Sequence, residues 1–202
     1  SFDACLATAL AAKRMGLPLE VHFVPTKLNW RDLPGVARLA SELGAREISV
    51  LRLVRQGRAG QNDLELGRDE ARALMDTIRR LRRRFDGIDI RTGAPWSCLT
   101  APDNQRCSAA SDKLLISAEG RVFPCEAFKF TSERRRTFQE RSLREIWAED
   151  DLLTALRGFE PGRIGACGDC PSSEDCRGGC PGQRLLETGS LFREPDPLCA
   201  RV

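Results

Sequence analysis

Along the first ninety residues, apolar positions recur at two different periods, and the switches between them predict alternating helices and strands. Residues 3–15 repeat at helical spacing, with Asp3 available as N-cap and Gly16 as the stop. LEVHFVPT (19–26) then reads as a strand. Asn29 can cap a second helix, whose Val36, Leu39, Ala40 and Leu43 share one face before Gly44 ends it. REISVLRLV (46–54) is a buried strand. The stretch after it, RQGRAGQNDLELG, is polar, glycine-bearing and long for a connection, and is expected to be a functional loop at a strand's C-terminal end. Residues 69–85 put Ala71, Leu74, Ile78, Leu81 and Phe85 on one stripe with arginines opposite, and IDIRT (88–92) is a last short strand.

Such alternation requires parallel strands joined by crossovers, so the first half is α/β, part of a barrel or of a doubly wound sheet. Three strands do not close a barrel, and the chain opens inside a helical pattern with no initiating methionine. The expectation is the rear portion of a longer enzyme. Beyond residue 95 the pattern changes to short strands, turns and cysteines. KLLIS (113–117) and RVFPC (121–125) flank Ala118-Glu119-Gly120, a three-residue hairpin loop with glycine where a left-handed residue is wanted. This hairpin brings Cys107 and Cys125 toward one neighbourhood. SLREIWAEDDLLTALR (142–157) is predicted as a single amphipathic helix, opened by a capping box of Ser142 and Glu145.

At 202 residues there is room for one large domain or two small ones, each with its own core, so size demands no disulfide staple. A net charge of +3 is too small to point to nucleic acid. The basic runs Arg79-Arg80, Arg82-Arg83-Arg84 and Arg134-Arg135-Arg136 are expected to be a solvated helix face and a solvated loop. With no charged-then-apolar leader and no long apolar span, the chain reads as soluble and cytoplasmic, with no membrane partner. The cysteines change the picture. There are nine, an odd number, and their clustering in a compartment that keeps thiols reduced favours metal over cystine.

Four of them lie in CGDCPSSEDCRGGCPG (167–182). Cys167-x2-Cys170 lets two thiolates reach one centre from a tight turn, which zinc sites and iron–sulfur clusters both use. Adding Cys176, Cys180 and Cys199 gives five soft ligands, one more than a tetrahedral zinc ion takes. No histidine is near them; His22, the chain's single one, is read as an ordinary strand residue. Iron–sulfur is therefore favoured, and the last cysteine of such a run can serve a different cluster from its neighbours, as at Cys180. The glycines of Arg177-Gly178-Gly179-Cys180-Pro181-Gly182 permit close backbone approach, so that amide N–H groups can point at cluster sulfur.

Cys107, twelve residues, Gly120, four residues, Cys125, then Cys167-x2-Cys170-x5-Cys176-x3-Cys180 and Cys199 resembles the seven-cysteine signature of the SPASM domain. That domain is the C-terminal extension of radical S-adenosylmethionine enzymes that mature peptides and proteins. VHFVPTKLN and ISVLRLVRQGRA resemble late barrel strands of such enzymes with their following turns. The resemblance implies an α/β fold: part of a radical-SAM-type (β/α) barrel over residues 1–94, then a small cysteine-rich SPASM domain with a β-hairpin and helices over residues 95–202. It implies two auxiliary clusters, usually both [4Fe–4S]. Cys107, Cys125 and Cys180 go to the first, with Cys98 as its fourth ligand; an open iron that receives substrate or a small ligand is the competing reading. Cys167, Cys170, Cys176 and Cys199 go to the second. Cys5 has no such match and is expected to be a packed small hydrophobe. Glu126 stands where sulfatase-maturating relatives carry a proton-accepting aspartate, so it is a candidate general base, against the plainer reading of a solvated hairpin glutamate.

The CxxxCxxC loop that binds the radical-generating cluster in that family is not in this sequence. S-adenosylmethionine and a third [4Fe–4S] cluster are thus expected in a full-length parent only. The implied function is the C-terminal section of a radical SAM/SPASM maturase that oxidatively modifies or cross-links a peptide or protein. Its implied partners are that substrate and an electron donor or acceptor protein. The alternatives are an autonomous iron–sulfur electron-transfer module and a zinc-binding interaction domain.

Overall fold

The computed structural model describes residues 1–94, 96–97, 107–129 and 135–199. It divides into two units, residues 1–103 and 104–202. In the first, α1 (Phe2–Arg14), β1 (Glu20–Phe23), α2 (Leu33–Leu43), β2 (Glu47–Val50), α3 (Arg68–Arg84) and β3 (Asp89–Thr92) follow one another, and the strands form a parallel sheet in the order β1-β2-β3. Val21, Ile48 and Ile90 stand side by side across it, with Ile48 and Ile90 buried. The fold is α/β, as the alternating periods required. α3 buries Ala71, Leu74, Met75, Ile78 and Leu81, and each large apolar side chain so buried contributes roughly 1.5–3 kcal/mol. Its first turn is closed by Glu70, whose carboxylate accepts from the Gly67 amide at 2.9 Å.

Four local expectations are corrected here. α2 begins at Leu33, after a 3-10 turn at Trp30–Asp32, and Asn29 does not cap it. The Asn29 side-chain oxygen instead accepts from the Thr26 amide and hydroxyl at 2.7 and 3.0 Å, closing the turn before the helix. The buried stripe of α2 is consequently Leu33, Ala37, Ala40 and Leu43, with Val36 and Leu39 only half-buried. At α1, Ser1 occupies the N-cap position and Asp3 lies in the first turn, where its charge suits the helix dipole. Because α1 buries none of its residues, Cys5 is exposed and not packed.

The second unit starts with a hairpin of β4 (Leu115–Ile116) and β5 (Val122–Phe123), turned by Gly120 at φ 79°. A third segment lines up beside β5, with the Val122 amide donating to the Arg136 carbonyl and the Phe138 amide to the Gly120 carbonyl. The helices are α4 (Leu143–Glu149), α5 (Asp151–Arg157), α6 (Gly165–Gly168), α7 (Ser173–Cys176) and α8 (Pro181–Thr188). Val122, Phe128, Ile146, Leu153 and Leu191 pack together as the core of this unit.

The single helix expected over residues 142–157 is two. Ser142 and Glu145 do form the capping box of α4. Asp150, however, leaves the helical region at ψ 125°, and one of its carboxylate oxygens accepts both from the Leu153 amide, capping α5, and from the Arg135 guanidinium at 2.7 Å. Arg135, expected in solvent, is 7% exposed and also donates to the Val122 carbonyl. A buried guanidinium needs a carboxylate, and the helix breaks where that carboxylate is supplied. Among the described residues no helix is long and apolar enough to cross a membrane.

Candidate metal centre

Eight cysteines are described, and none of them is in a disulfide. Cys98 lies outside the described residues. The described thiols lie on two stretches of the second unit, Cys107 and Cys125 at the hairpin and Cys167, Cys170, Cys176, Cys180 and Cys199 along the later short helices, with Cys5 apart on α1.

The first group is built at the hairpin exit. Cys125 ends the second hairpin segment, and its carbonyl accepts from the Phe128 amide at 3.1 Å, so the chain enters a 3-10 turn at Glu126–Phe128. That turn lies against α8: a side chain at Gly182 would put its Cβ 2.4 Å from the Ala127 Cβ. Cys125 is thereby brought to the helix that starts one residue after Cys180. Burial pushes the Cys125 thiol up to about 11, with Cys107 and Glu126 pushing the same way and the Ala127 backbone and Lys113 opposing. Lys113 feels both Cys107 and Cys125. Its ammonium lies 2.8 Å from the Glu126 carboxylate, and that hydrogen bond holds the carboxyl below its ordinary value. Glu126 is 62% exposed, so as an ion pair this is worth only ~0.2–1 kcal/mol.

The second group surrounds the α6–α7–α8 turns. Cys167, on α6, is buried, and its carbonyl accepts from the Cys170 amide at 3.2 Å. Burial raises the Cys167 thiol, and Cys199 and Cys170 raise it further. A raised thiol stays protonated until a cation compensates, so ligation here releases protons. Cys176 ends α7, and the next three residues, Arg177, Gly178 and Gly179, all have positive φ, at 50°, 73° and 80°.

Those left-handed glycines serve two side chains that sequence reasoning missed. A Cβ on Gly178 would come within 2.7 Å of the Arg184 guanidinium, and one on Gly179 within 2.4 Å of the Asp196 Cβ. Arg184, 1% exposed, donates to the carbonyls of Arg177, Gly178 and Leu191 and lies over the Phe159 ring at 4.8 Å. Burial holds its guanidinium below the ordinary value, against the opposing influence of Asp196, Cys180, Cys167 and Cys176. Asp196, also 1% exposed, accepts from the amides of Cys180 and Leu198 at 2.8 Å each. The Cys180 amide, one of the N–H groups of the glycine-bearing run, therefore goes to a carboxylate. Arg184 carries no motif. Asp196 does have a signal, its place in Pro195-turn fashion within EPDPLC, three residues before Cys199.

The donor chemistry fits an iron–sulfur cluster: thiols throughout, set beside tightly turned backbone and a buried cation. Among the described residues no three His, Cys, Asp or Glu side chains converge closely enough to hold a single metal ion. A cluster takes each thiolate on a separate iron, so its ligands need not converge on one point.

The chain thus carries an α/β unit of parallel strands and, later in sequence, a hairpin and turn-borne thiols. Residues 107–171 match the family model of the SPASM iron–sulfur cluster-binding domain. Over 97% of its length the chain is 30% identical to the PqqA peptide cyclase of Ruegeria pomeroyi, covering 53% of that protein. It is 25% identical to the AdoMet-dependent heme synthase of Methanosarcina barkeri over 98% of the chain and 60% of the relative. The chain thus spans about half the length of the curated relatives it matches. Among solved structures, it superposes on Streptococcus suis SuiB bound to precursor peptide SuiA with a TM-score of 0.74 at 19% identity, over 98% of this chain and 48% of that one. Native anSMEcpe with bound AdoMet and Kp18Cys peptide gives 0.70 at 16% identity, over 98% and 57%. At those identities the likeness is one of fold.

Proposed function

We propose that the chain is the auxiliary-cluster section of a radical SAM/SPASM maturase that oxidatively modifies or cross-links a peptide or protein. What supports the reading is that Cys107 lies close enough to Cys125, and Cys199 and Cys170 close enough to Cys167, to act on its thiol, in a chain whose residues 107–171 match the SPASM model. In this reading Cys107, Cys125 and Cys180, with Cys98, hold a first [4Fe–4S] cluster, and Cys167, Cys170, Cys176 and Cys199 hold a second. Relatives named as a PqqA peptide cyclase and as SuiB bound to a precursor peptide support a peptide substrate. The clusters, when bound, supply a route for electrons leaving the substrate toward a protein partner. S-adenosylmethionine and a third cluster belong to the remainder of the proposed enzyme.

The chain's own residues contribute position and proton handling. Cys125 and the turn after it fix Glu126 next to the first thiol group, on the exposed side. Lys113 keeps the Glu126 carboxylate ionised, and only the ionised form can accept a proton from substrate. Swinging out of the Lys113 pair costs little at this exposure, so the carboxylate can reach a substrate laid over the hairpin.

Metal analysis tests the reading directly. Protein expressed with cluster-assembly support and purified without air should be brown and carry about eight irons per chain with matching acid-labile sulfide. Stoichiometric zinc without iron would refute it in favour of a zinc-bound interaction domain.

A further inference from the structure

Asp196 joins the chain segment that bears Cys180 to the segment that bears Cys199. Among the hydrogen bonds of its backbone and side chain, four run to these two segments. Its amide donates to the Gly178 carbonyl at 3.1 Å, and its carboxylate accepts from the Cys180 amide at 2.8 Å. On the other side, its second carboxylate oxygen accepts from the Leu198 amide, and its carbonyl from the Cys199 amide, both at 2.8 Å. The approach to the first segment depends on Gly179, since any Cβ there would overlap the Asp196 side chain. Arg184 is the nearby counter-charge, and its guanidinium is itself tied to Gly178 at 2.7 Å.

We propose that Asp196 is a positioning residue that couples the two cluster sites: its carboxylate holds the backbone of Cys180 while its own carbonyl holds the backbone of Cys199. The proposal rests on the two-cluster reading, in which Cys180 belongs to the first site and Cys199 to the second. A buried carboxylate fixed to both loops has two consequences. Geometrically, displacement of one loop is passed to the other through a single rigid side chain. Electrostatically, one fixed negative charge opposes electron uptake at both sites, so the two potentials carry a shared contribution.

Asp196→Asn isolates this role. The substitution leaves both backbone hydrogen bonds in place and removes the charge and one acceptor. The protein, reconstituted without air, is compared with the variant by iron and sulfide content, by potentiometric titration of each cluster's spectroscopic signal, and by the rate at which a chelator strips iron from each. Both signals should persist in the variant. Both potentials should move upward together, because a reduced cluster no longer faces the extra anion. Loss of iron should accelerate at both sites, on the order of tenfold or more, the weight of one hydrogen bond to a charged group. Unchanged potentials and rates, or a change confined to one cluster, would overturn the coupling. If parent and variant alike show fewer than two clusters, it is the two-cluster reading that fails, and the coupling falls with it. If the Asn variant yields no soluble protein, Gly179→Ala answers the same question by pushing the carboxylate aside with its charge retained. It must then speed iron loss at both sites while shifting the potentials less; parental rates would refute the proposal.

Discussion

The pairing of Arg135 with Asp150 offers the sharpest energetic test of the second unit. The two side chains are 6% and 7% exposed and 2.7 Å apart, and the same Asp150 oxygen caps α5. Removing one partner of a buried pair strands the other charge, which costs about 3–5 kcal/mol. Losing an N-cap costs about 1 kcal/mol more. Asp150→Ala loses both contributions, whereas Asp150→Asn keeps a good capping side chain and loses only the charge. The expected order is parent, then Asn at roughly 3 kcal/mol below it, then Ala about 1 kcal/mol lower again. Adding Arg135→Met to Asp150→Asn should recover more than about 1 kcal/mol, because no charge is then left buried. Urea unfolding reads these differences through the fluorescence of Trp147, which α4 carries and the Arg157 guanidinium covers at 5.0 Å. If Asn and Ala cost the same, the cap contributes nothing. If both cost under about 1 kcal/mol, the pair is not desolvated and the account of the helix break is wrong.

Two further outcomes follow from the cysteine groups and the sheet. Cys170→Ala should damage the second cluster first and Cys107→Ala the first, as read by the spectroscopic signal of each; loss of one common signal in both variants would refute the ligand assignment. Glu47 accepts from the Ser49 hydroxyl at 2.6 Å and from Arg91 at 3.2 Å, and the Ser49 bond leads in holding its carboxyl below the ordinary value. A depressed carboxyl stabilises the fold above its unfolded value and stops doing so as pH falls through its folded one. Acid titration of stability should therefore steepen below the ordinary carboxylate range in the parent and less so in Glu47→Gln, and superimposable titrations would argue against the contact.

The sequence was most legible where a period or a spacing is set by geometry. α3 was readable because a 17-residue helix needs a continuous apolar stripe, and the hairpin because Gly120 supplies a left-handed turn. The cysteine intervals carried the family resemblance, and the SPASM model matches residues 107–171. What escaped were contacts made between distant segments. The break at Asp150 depends on Arg135, fifteen positions earlier, and no local pattern announces a buried guanidinium. Arg184 and Asp196 escaped likewise, since the glycines that admit them were explained by backbone approach to sulfur before any side chain was known to press on them. Cys5 was misjudged because a thiol's usual burial says nothing about a helix that buries none of its residues.

The consecutive left-handed residues at Arg177, Gly178 and Gly179 also bear on how this loop could be moved into another protein. A graft carrying only Cys176 to Cys180 would transplant a backbone shape with nothing to maintain it. In place, Gly178 is pressed by Arg184 and by Ile164, and Gly179 by Asp196. A portable unit therefore starts no later than Ile164 and runs through the turn that bears Asp196. Library designs that randomise the surroundings while fixing the cysteines would keep the ligands and discard their mould.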